Sequence, residues 1–223
     1  MTETLEQELR RRFEVVEAPV EVSGEAFTLL RPRDAEALIS AEDFERDERL
    51  PYWADVWPSS VVLAERLLGE QGEGRTLLEL GCGLGVVAVA AARAGFDVTV
   101  SDYYDDALSF ARVNLARLGH TAAARLLDWR ALPDDLPRYG VVAASDVLYE
   151  RPYARLVAEV IARTLAPDGI ALVADPGRVA APEFVLEARK VGLTIDEPDV
   201  VPISVGKITQ RIRVYALRHA PPR

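Results

Sequence analysis

The stretch at residues 79–85, which reads ELGCGLG, constrains this chain more than any other, because an apolar run at 76–80 leads into it and an Ala/Val-rich run leads out. Glycines at 81, 83 and 85 let the main chain turn tightly and let a ligand approach backbone that a Cβ would block. The helix that follows aims unpaired N–H groups at whatever sits there. A strand, a glycine turn and a helix in that order form a ligand-binding elbow.

The alternation continues beyond the elbow. The pattern predicts a helix over 86–95 ended by Gly95, a strand over 97–102 and an amphipathic helix over 105–119 ended by Gly119. Strands over 123–128 and 139–146 come next, then a helix from about Pro152 to Leu165, a stop at Pro167-Asp168-Gly169, and a strand over 170–175. Apolar strands alternating with helices mean a parallel sheet covered on both faces. After a helix at 180–191 the pattern changes to strands with no helix between them, which implies an antiparallel pair at the end of the sheet.

Upstream of the elbow, Leu5, Leu9 and Phe13 give a charged first helix one narrow apolar stripe. Pro19 breaks it, and residues 19–32 read as two short strands about a Ser23-Gly24 turn. The acidic run at 34–48 reads as either a helix or a lid. Tyr52, Trp53 and Trp57 then crowd together; Trp53 is either core or a ligand contact, and Trp57 stands just outside a helix opened by Pro58.

Composition bounds the partners. A net charge of −10 over 223 residues repels a nucleic-acid backbone and leaves small molecules and basic protein segments as easier partners. Cys82 is the only cysteine, and His120 and His219 are the only histidines, so the sequence points to a reducing cytoplasm and no metal. No run approaches the ~18 apolar residues of a membrane helix, and the charged N-terminus lacks a signal-peptide core. The chain is expected to be soluble.

Four strand-end acids are taken as site candidates: Glu79, Asp102, Asp128 and Asp146. Ligands of such sheets bind beyond the strands' carboxyl ends. Val86 stands where a dinucleotide fingerprint needs its last glycine, and no Gly-Lys-Ser/Thr follows, so neither a nicotinamide fold nor a P-loop fits. Asp102 is placed to accept both hydroxyls of a ribose, Asp128 to take an adenine amine, and Trp129 to offer a face to the purine. Ribose, adenine and a compact polar tail together describe S-adenosylmethionine.

With ELGCGLG, Asp102 and the order of strands, the chain resembles the class I, seven-stranded S-adenosylmethionine-dependent methyltransferases. YWADVWPSS, the LLDW at 126–129 and Asp146-Val147-Leu148-Tyr149 are similar to the family 16 protein lysine methyltransferases, with their D-x-x-Y signature. The resemblance implies a Rossmann-like doubly wound, mostly parallel sheet of seven strands, with residues 1–50 as an N-terminal extension (helix, hairpin, acidic segment) packed on a methyltransferase domain over 51–223. It implies a cofactor pocket lined by Trp57, Gly81, Gly83, Asp102, Trp129 and Ser145, to which the reading of the elbow and strand ends adds Glu79, Gly85 and Asp128, with S-adenosylhomocysteine as product. On the acceptor side it implies Asp146 and Tyr149 as catalytic residues and Trp53 with Tyr149 as substrate contacts, serving a protein with an exposed lysine or a small-molecule acceptor. From the residues alone, a helix N-cap for Asp146 and packing for Tyr149 are the favoured readings, Cys82 is a small turn residue, and Arg151, Arg155 and Arg178 are either solvated surface or contacts for an acidic substrate patch.

Overall fold

The computed structural model describes residues 4–35, 38, 51–206 and 208–221. The acidic run at 34–48, expected as helix or lid, lies almost entirely outside them.

The chain opens with α1 (Leu5–Arg12), whose N-terminus is closed by a capping box between Thr4 and Gln7. Of the expected apolar stripe, Leu9 is the helix residue fully removed from solvent, a burial that contributes about 1.5–3 kcal/mol to pinning α1. Strands β1 (Val15–Val22) and β2 (Glu25–Pro32) form an antiparallel hairpin. Its turn residues, Ser23 and Gly24, both have positive φ (52° and 78°), which matches the twist of the paired strands.

A 3-10 turn at Tyr52–Ala54 leads to α2 (Pro58–Leu68), with Trp57 as N-cap and Pro58 in the first turn, as the sequence predicted. The α/β alternation follows: β3 (Thr76–Leu80), α3 (Val86–Arg93), β4 (Asp97–Asp102), α4 (Asp105–Arg117), β5 (Ala123–Leu126), β6 (Tyr139–Ser145), α5 (Tyr153–Thr164), β7 (Leu165–Asp175) and α6 (Ala181–Lys190). The chain ends with β8 (Leu193–Ile195), β9 (Asp199–Val205) and β10 (Ile208–His219).

The sheet runs β5-β4-β3-β6-β7-β10-β8, with β9 pairing to β10. Strands β3 to β7 are mutually parallel, whereas β10 is antiparallel to β7, β8 and β9. This is the expected doubly wound sheet with its antiparallel C-terminal strand. Three boundaries differ. The first helix ends at Arg12, and Pro19, expected to break it, lies within β1 opposite Thr28. Strand β5 stops at Leu126, so Asp128 lies past its end; and β7 begins at Leu165, with pairing that jumps from Tyr139 opposite Leu165 to Val141 opposite Ile170. Residues 166–169 therefore bulge out of a strand instead of separating a helix from one.

Alternate strand residues feed different cores. Leu77, Val141 and Ala143 join α2, α3, α4 and the hairpin on one face, while Leu78, Val142 and Ala144 join α5 and α6 on the other. A third cluster, Leu9, Leu30, Leu84, Phe110 and Val113, seats α1 and β2 on α4. Its polar tie is buried Asn114, whose Oδ1 accepts from Leu30 N–H at 2.7 Å while its Nδ2 donates to the carbonyls of Leu30 and Leu84, each at 3.0 Å. One amide thus joins the hairpin edge to the glycine turn. Strand order reverses between β3 and β6, which opens a crevice at their carboxyl ends.

Candidate functional site

A cavity of about 330 Å³ occupies that crevice. Its first half is built largely from main chain. Gly81, Gly83 and Gly85 all have positive φ, at 66°, 50° and 81°. A Cβ on Gly81 would lie 3.2 Å from Val147 Cγ1, one on Gly83 3.0 Å from the carbonyl of Trp53, and one on Gly85 3.0 Å from Ala111 Cβ. Gly81 and Gly83 line the cavity; Gly85 instead lets α3 start against α4. Gly85 therefore serves the site by packing, and it does not face the cavity as the reading of the elbow had it.

Asp102 stands where expected. Its Oδ2 accepts from Gly83 N–H and its Oδ1 from Tyr104 N–H, both at 3.0 Å, so the acid and the glycine loop fix each other. Burial pushes its carboxyl pKa up, and the main-chain donors partly oppose that shift. Glu79 is placed differently from the sequence reading. It is 1% exposed behind the cavity wall, with Oε2 lacking a hydrogen-bond partner, and burial together with the nearby Asp102 charge raises its pKa well above the usual carboxylate range. Glu79 acts from beneath the elbow.

Asp128, Trp129 and Ser145 line the cavity, as expected. The Asp128 carboxylate is already gripped by Arg130, whose Nε lies 2.9 and 3.1 Å from the two oxygens, and that guanidinium covers the Tyr103 ring at 5.2 Å. Cys82 is 5% exposed, and burial pushes its thiol pKa up, which suits a small turn residue and not a nucleophile.

The other half is built from side chains. Asp146 adopts φ 57°, a left-handed conformation that Asp tolerates better than most residues, and its N–H donates to the Ala174 carbonyl at 2.9 Å. Both carboxylate oxygens are engaged: Arg178 Nε donates to Oδ1 at 2.6 Å and Ser59 Oγ to Oδ2 at 3.0 Å. Arg178, which the sequence offered to solvent or to an acidic substrate, also lies 5.2 Å from the centre of the Trp57 ring. Its loop is pinned by Asp175, whose Oδ1 accepts from the N–H groups of Gly177 and Arg178 at 2.6 and 2.8 Å.

Tyr149 faces the same space and belongs to a run of rings. Trp57, Tyr52, Tyr149, Tyr153 and Trp129 follow one another edge to face, with centroid spacings of 5.9, 5.2, 5.0 and 5.7 Å. Trp57 Nε1 also donates to the Tyr52 carbonyl at 2.8 Å, which fixes the start of the run. Burial, then Tyr153 beside it, raises the Tyr149 phenol pKa, so it stays protonated at neutral pH and is no general base. Trp53 contributes to the cavity lining, but its ring packs on Phe110 at 5.6 Å, in the cluster under the hairpin. Of its two sequence alternatives, the structure favours core.

Sequence reasoning missed Ser59, Tyr153 and Asp175 as parts of the site, noted Tyr52 only as one of a crowd of rings, and offered Arg178 to an acidic substrate or to solvent. Of the three missed, only Asp175 carried a signal, since its strand also ended on an acid; Ser59 and Tyr153 are brought in by tertiary contact. Among the described residues, no cluster of three or more His, Cys, Asp or Glu is placed to hold a metal ion, and no helix is long and apolar enough to cross a membrane.

The chain is similar to several known proteins. It is 28% identical over 131 residues to the electron transfer flavoprotein beta subunit lysine methyltransferase of Danio rerio, covering 57% of this chain and 51% of that one. It is 32% identical over 145 residues to the ribosomal protein L11 methyltransferase of Azotobacter vinelandii, covering 63% and 44%. The chain thus spans about half the length of the curated relatives it matches. Its fold matches that of the magnesium protoporphyrin IX methyltransferase of Synechocystis PCC 6803, solved with bound SAM, at a TM-score of 0.58 and 17% identity, covering 81% and 86%. A family model described as lysine methyltransferase matches residues 43–187, the span that holds the elbow, Asp102, the aromatic run and Asp146-Val147-Leu148-Tyr149. With that match over well over half its length, the chain belongs to the lysine methyltransferase family.

Proposed function

We propose that this protein transfers a methyl group from S-adenosylmethionine to a lysine side-chain amine of a protein, within the cytoplasm, through a catalytic unit spanning residues 51–223 with residues 1–50 as an extension. The observation that carries the reading is a single cavity whose two ends differ in chemistry. A buried carboxylate on a glycine loop stands at one end, and aromatic rings about Asp146 stand at the other.

The residues present fit the cofactor. Asp102 lines the cavity with lone pairs beyond those taken by Gly83 and Tyr104, which suits ribose hydroxyls. Trp129 and Tyr103 offer ring faces for a purine, and Gly81 leaves room at the loop that a Cβ would take. When bound, S-adenosylmethionine supplies an electrophilic methyl on a sulfonium whose sulfur leaves as a neutral thioether. Trp57, Asp146, Tyr149 and Ser145 would complete the pocket around the reacting end.

The protein's own part is alignment and dehydration. Holding the acceptor in line at near-attack distance is where most of the rate gain of such a displacement lies. Tyr52, Tyr149 and Tyr153 line the acceptor end of the cavity with rings, and a lysine losing its hydration shell against them is biased toward the free base that the displacement requires. Asp146, held by Arg178 and Ser59, and Tyr149 shape the wall that positions the acceptor, and the proton departs to water.

The test is transfer of labelled methyl into soluble proteins of the native organism, followed by hydrolysis and identification of the modified residue. Methyl-lysine is expected. Label confined to small molecules would shift the acceptor class, and failure of the protein to bind S-adenosylhomocysteine in calorimetry would sink the enzymatic reading altogether.

A further inference from the structure

The acceptor end of the cavity holds a cation of its own. Asp146, the acid of the D-x-x-Y turn, and its partner Arg178 both line the cavity, but the Asp146 side chain is only 5% exposed while that of Arg178 is 35% exposed. The cavity thus presents more of the guanidinium than of the carboxylate. The arrangement is held from three sides. Asp175 fixes the Arg178 main chain, Ser59 occupies the second Asp146 oxygen, and Trp57 lies under the guanidinium. The ion pair is thus part of the wall and not a side chain in search of a partner.

Resting on the amine-acceptor reading, we propose that Arg178 is a positioning residue that closes Asp146 to external cations, so that the acceptor enters as the uncharged amine and not as the ammonium. The physical reason is charge balance. A bare carboxylate would stabilise a bound ammonium and hold its proton, which takes away the lone pair needed for attack. Compensated by Arg178, the same carboxylate stops doing so, and the fixed positive charge disfavours a second cation in the same space.

Of the other carboxylates on the wall, only Glu150 is open, and it stands in solvent. Asp55 lies 3.2 Å from Arg31, Asp128 is held by Arg130, and Asp102 is bound by main-chain N–H groups at the far end. Glu150 is exposed to solvent, where water screens it, and Asp175 is fully buried behind the Arg178 loop.

Two measurements on the full chain loaded with S-adenosylhomocysteine or S-adenosylmethionine test this. The first is calorimetric binding of n-butyltrimethylammonium, a permanent cation, to the S-adenosylhomocysteine complex. Wild type and R178K are expected to bind it weakly, R178Q about tenfold or more tighter, and D146N/R178Q near wild type again, since the exposed carboxylate is then neutral. The second is the pH profile of methyl transfer to a lysine peptide, in which R178Q moves the acid limb up by about one pH unit and R178K does not. A purely structural Arg178 would lower turnover equally at every pH and leave cation binding alone. Equal cation binding by wild type and R178Q, or an R178K that behaves like R178Q, overturns the proposal. R178K and the double variant keep the test decisive if R178Q folds poorly. A wild-type protein that binds S-adenosylhomocysteine but methylates no amine would instead overturn the acceptor reading, while the cation measurement still decides the role of Arg178.

Discussion

The two ends of the cavity are made of different material. At the cofactor end the shape comes from backbone: three left-handed glycines, two main-chain N–H groups on Asp102, and a helix start. At the acceptor end it comes from side chains that meet from distant parts of the chain, namely Trp57 and Ser59 beside α2, Asp146 and Tyr149 after β6, and Arg178 after β7. Backbone geometry is fixed by local sequence and changes little when neighbours vary. Side-chain walls can be exchanged one residue at a time, which makes the acceptor end the natural seat of specificity.

That contrast predicts separable defects. Asp102→Ala removes the acceptor for two main-chain donors and for the ribose, so S-adenosylhomocysteine affinity should fall at least a hundredfold, about 3 kcal/mol or more, by calorimetry. Retention within threefold would break the cofactor assignment. Asp146→Ala should leave that affinity within about threefold while methyl transfer falls by roughly a hundredfold; full activity would place the acceptor elsewhere. Asn114→Ala leaves the Leu30 N–H and the Leu84 carbonyl short of a buried partner. A stability loss of about 2 kcal/mol is expected, read as a Tm drop of roughly 4–8 °C, with a smaller loss of cofactor affinity because the glycine turn loses its tie.

The smallest effect concerns Glu79. Its raised folded-state pKa means that the unfolded chain ionises first, at about pH 4.3, while the native carboxyl keeps its proton. The stability tied to Glu79 is thus fully present below that pH and is lost as pH rises toward the folded pKa. Glu79→Gln should match wild type near pH 4 and exceed it near pH 8, in paired melting curves. A constant difference at all pH values would show that Glu79 ionises freely beneath the elbow.

Most of the cofactor end was legible because its signals are local. The glycine spacing, the acid ending β4 and the tryptophan after β5 each sit within a few residues of the turn they serve. Glu79 and Gly85 were read into the cavity because spacing cannot say which side of the backbone a residue faces; the structure puts Glu79 beneath and Gly85 against Ala111. At the acceptor end the motif residues Asp146 and Tyr149 were found, but Arg178 was read as solvated surface or a contact for an acidic substrate, since a partner 32 positions away leaves no mark in a window of sequence. Trp53 and Trp57 lie four residues apart and looked alike. Tertiary packing separated them, sending one ring to Phe110 and the other to Arg178.

The sequence by itself determined the alternation of strands and helices, the elbow and the carboxylate at the end of β4, because hydrophobic periodicity and glycine's access to positive φ act over a few residues. Only the tertiary structure decided that Asp146 is not a bare anion. Whether a carboxylate faces a substrate or an internal partner depends on what the sheet order brings beside it, and the Asp175 loop brings Arg178.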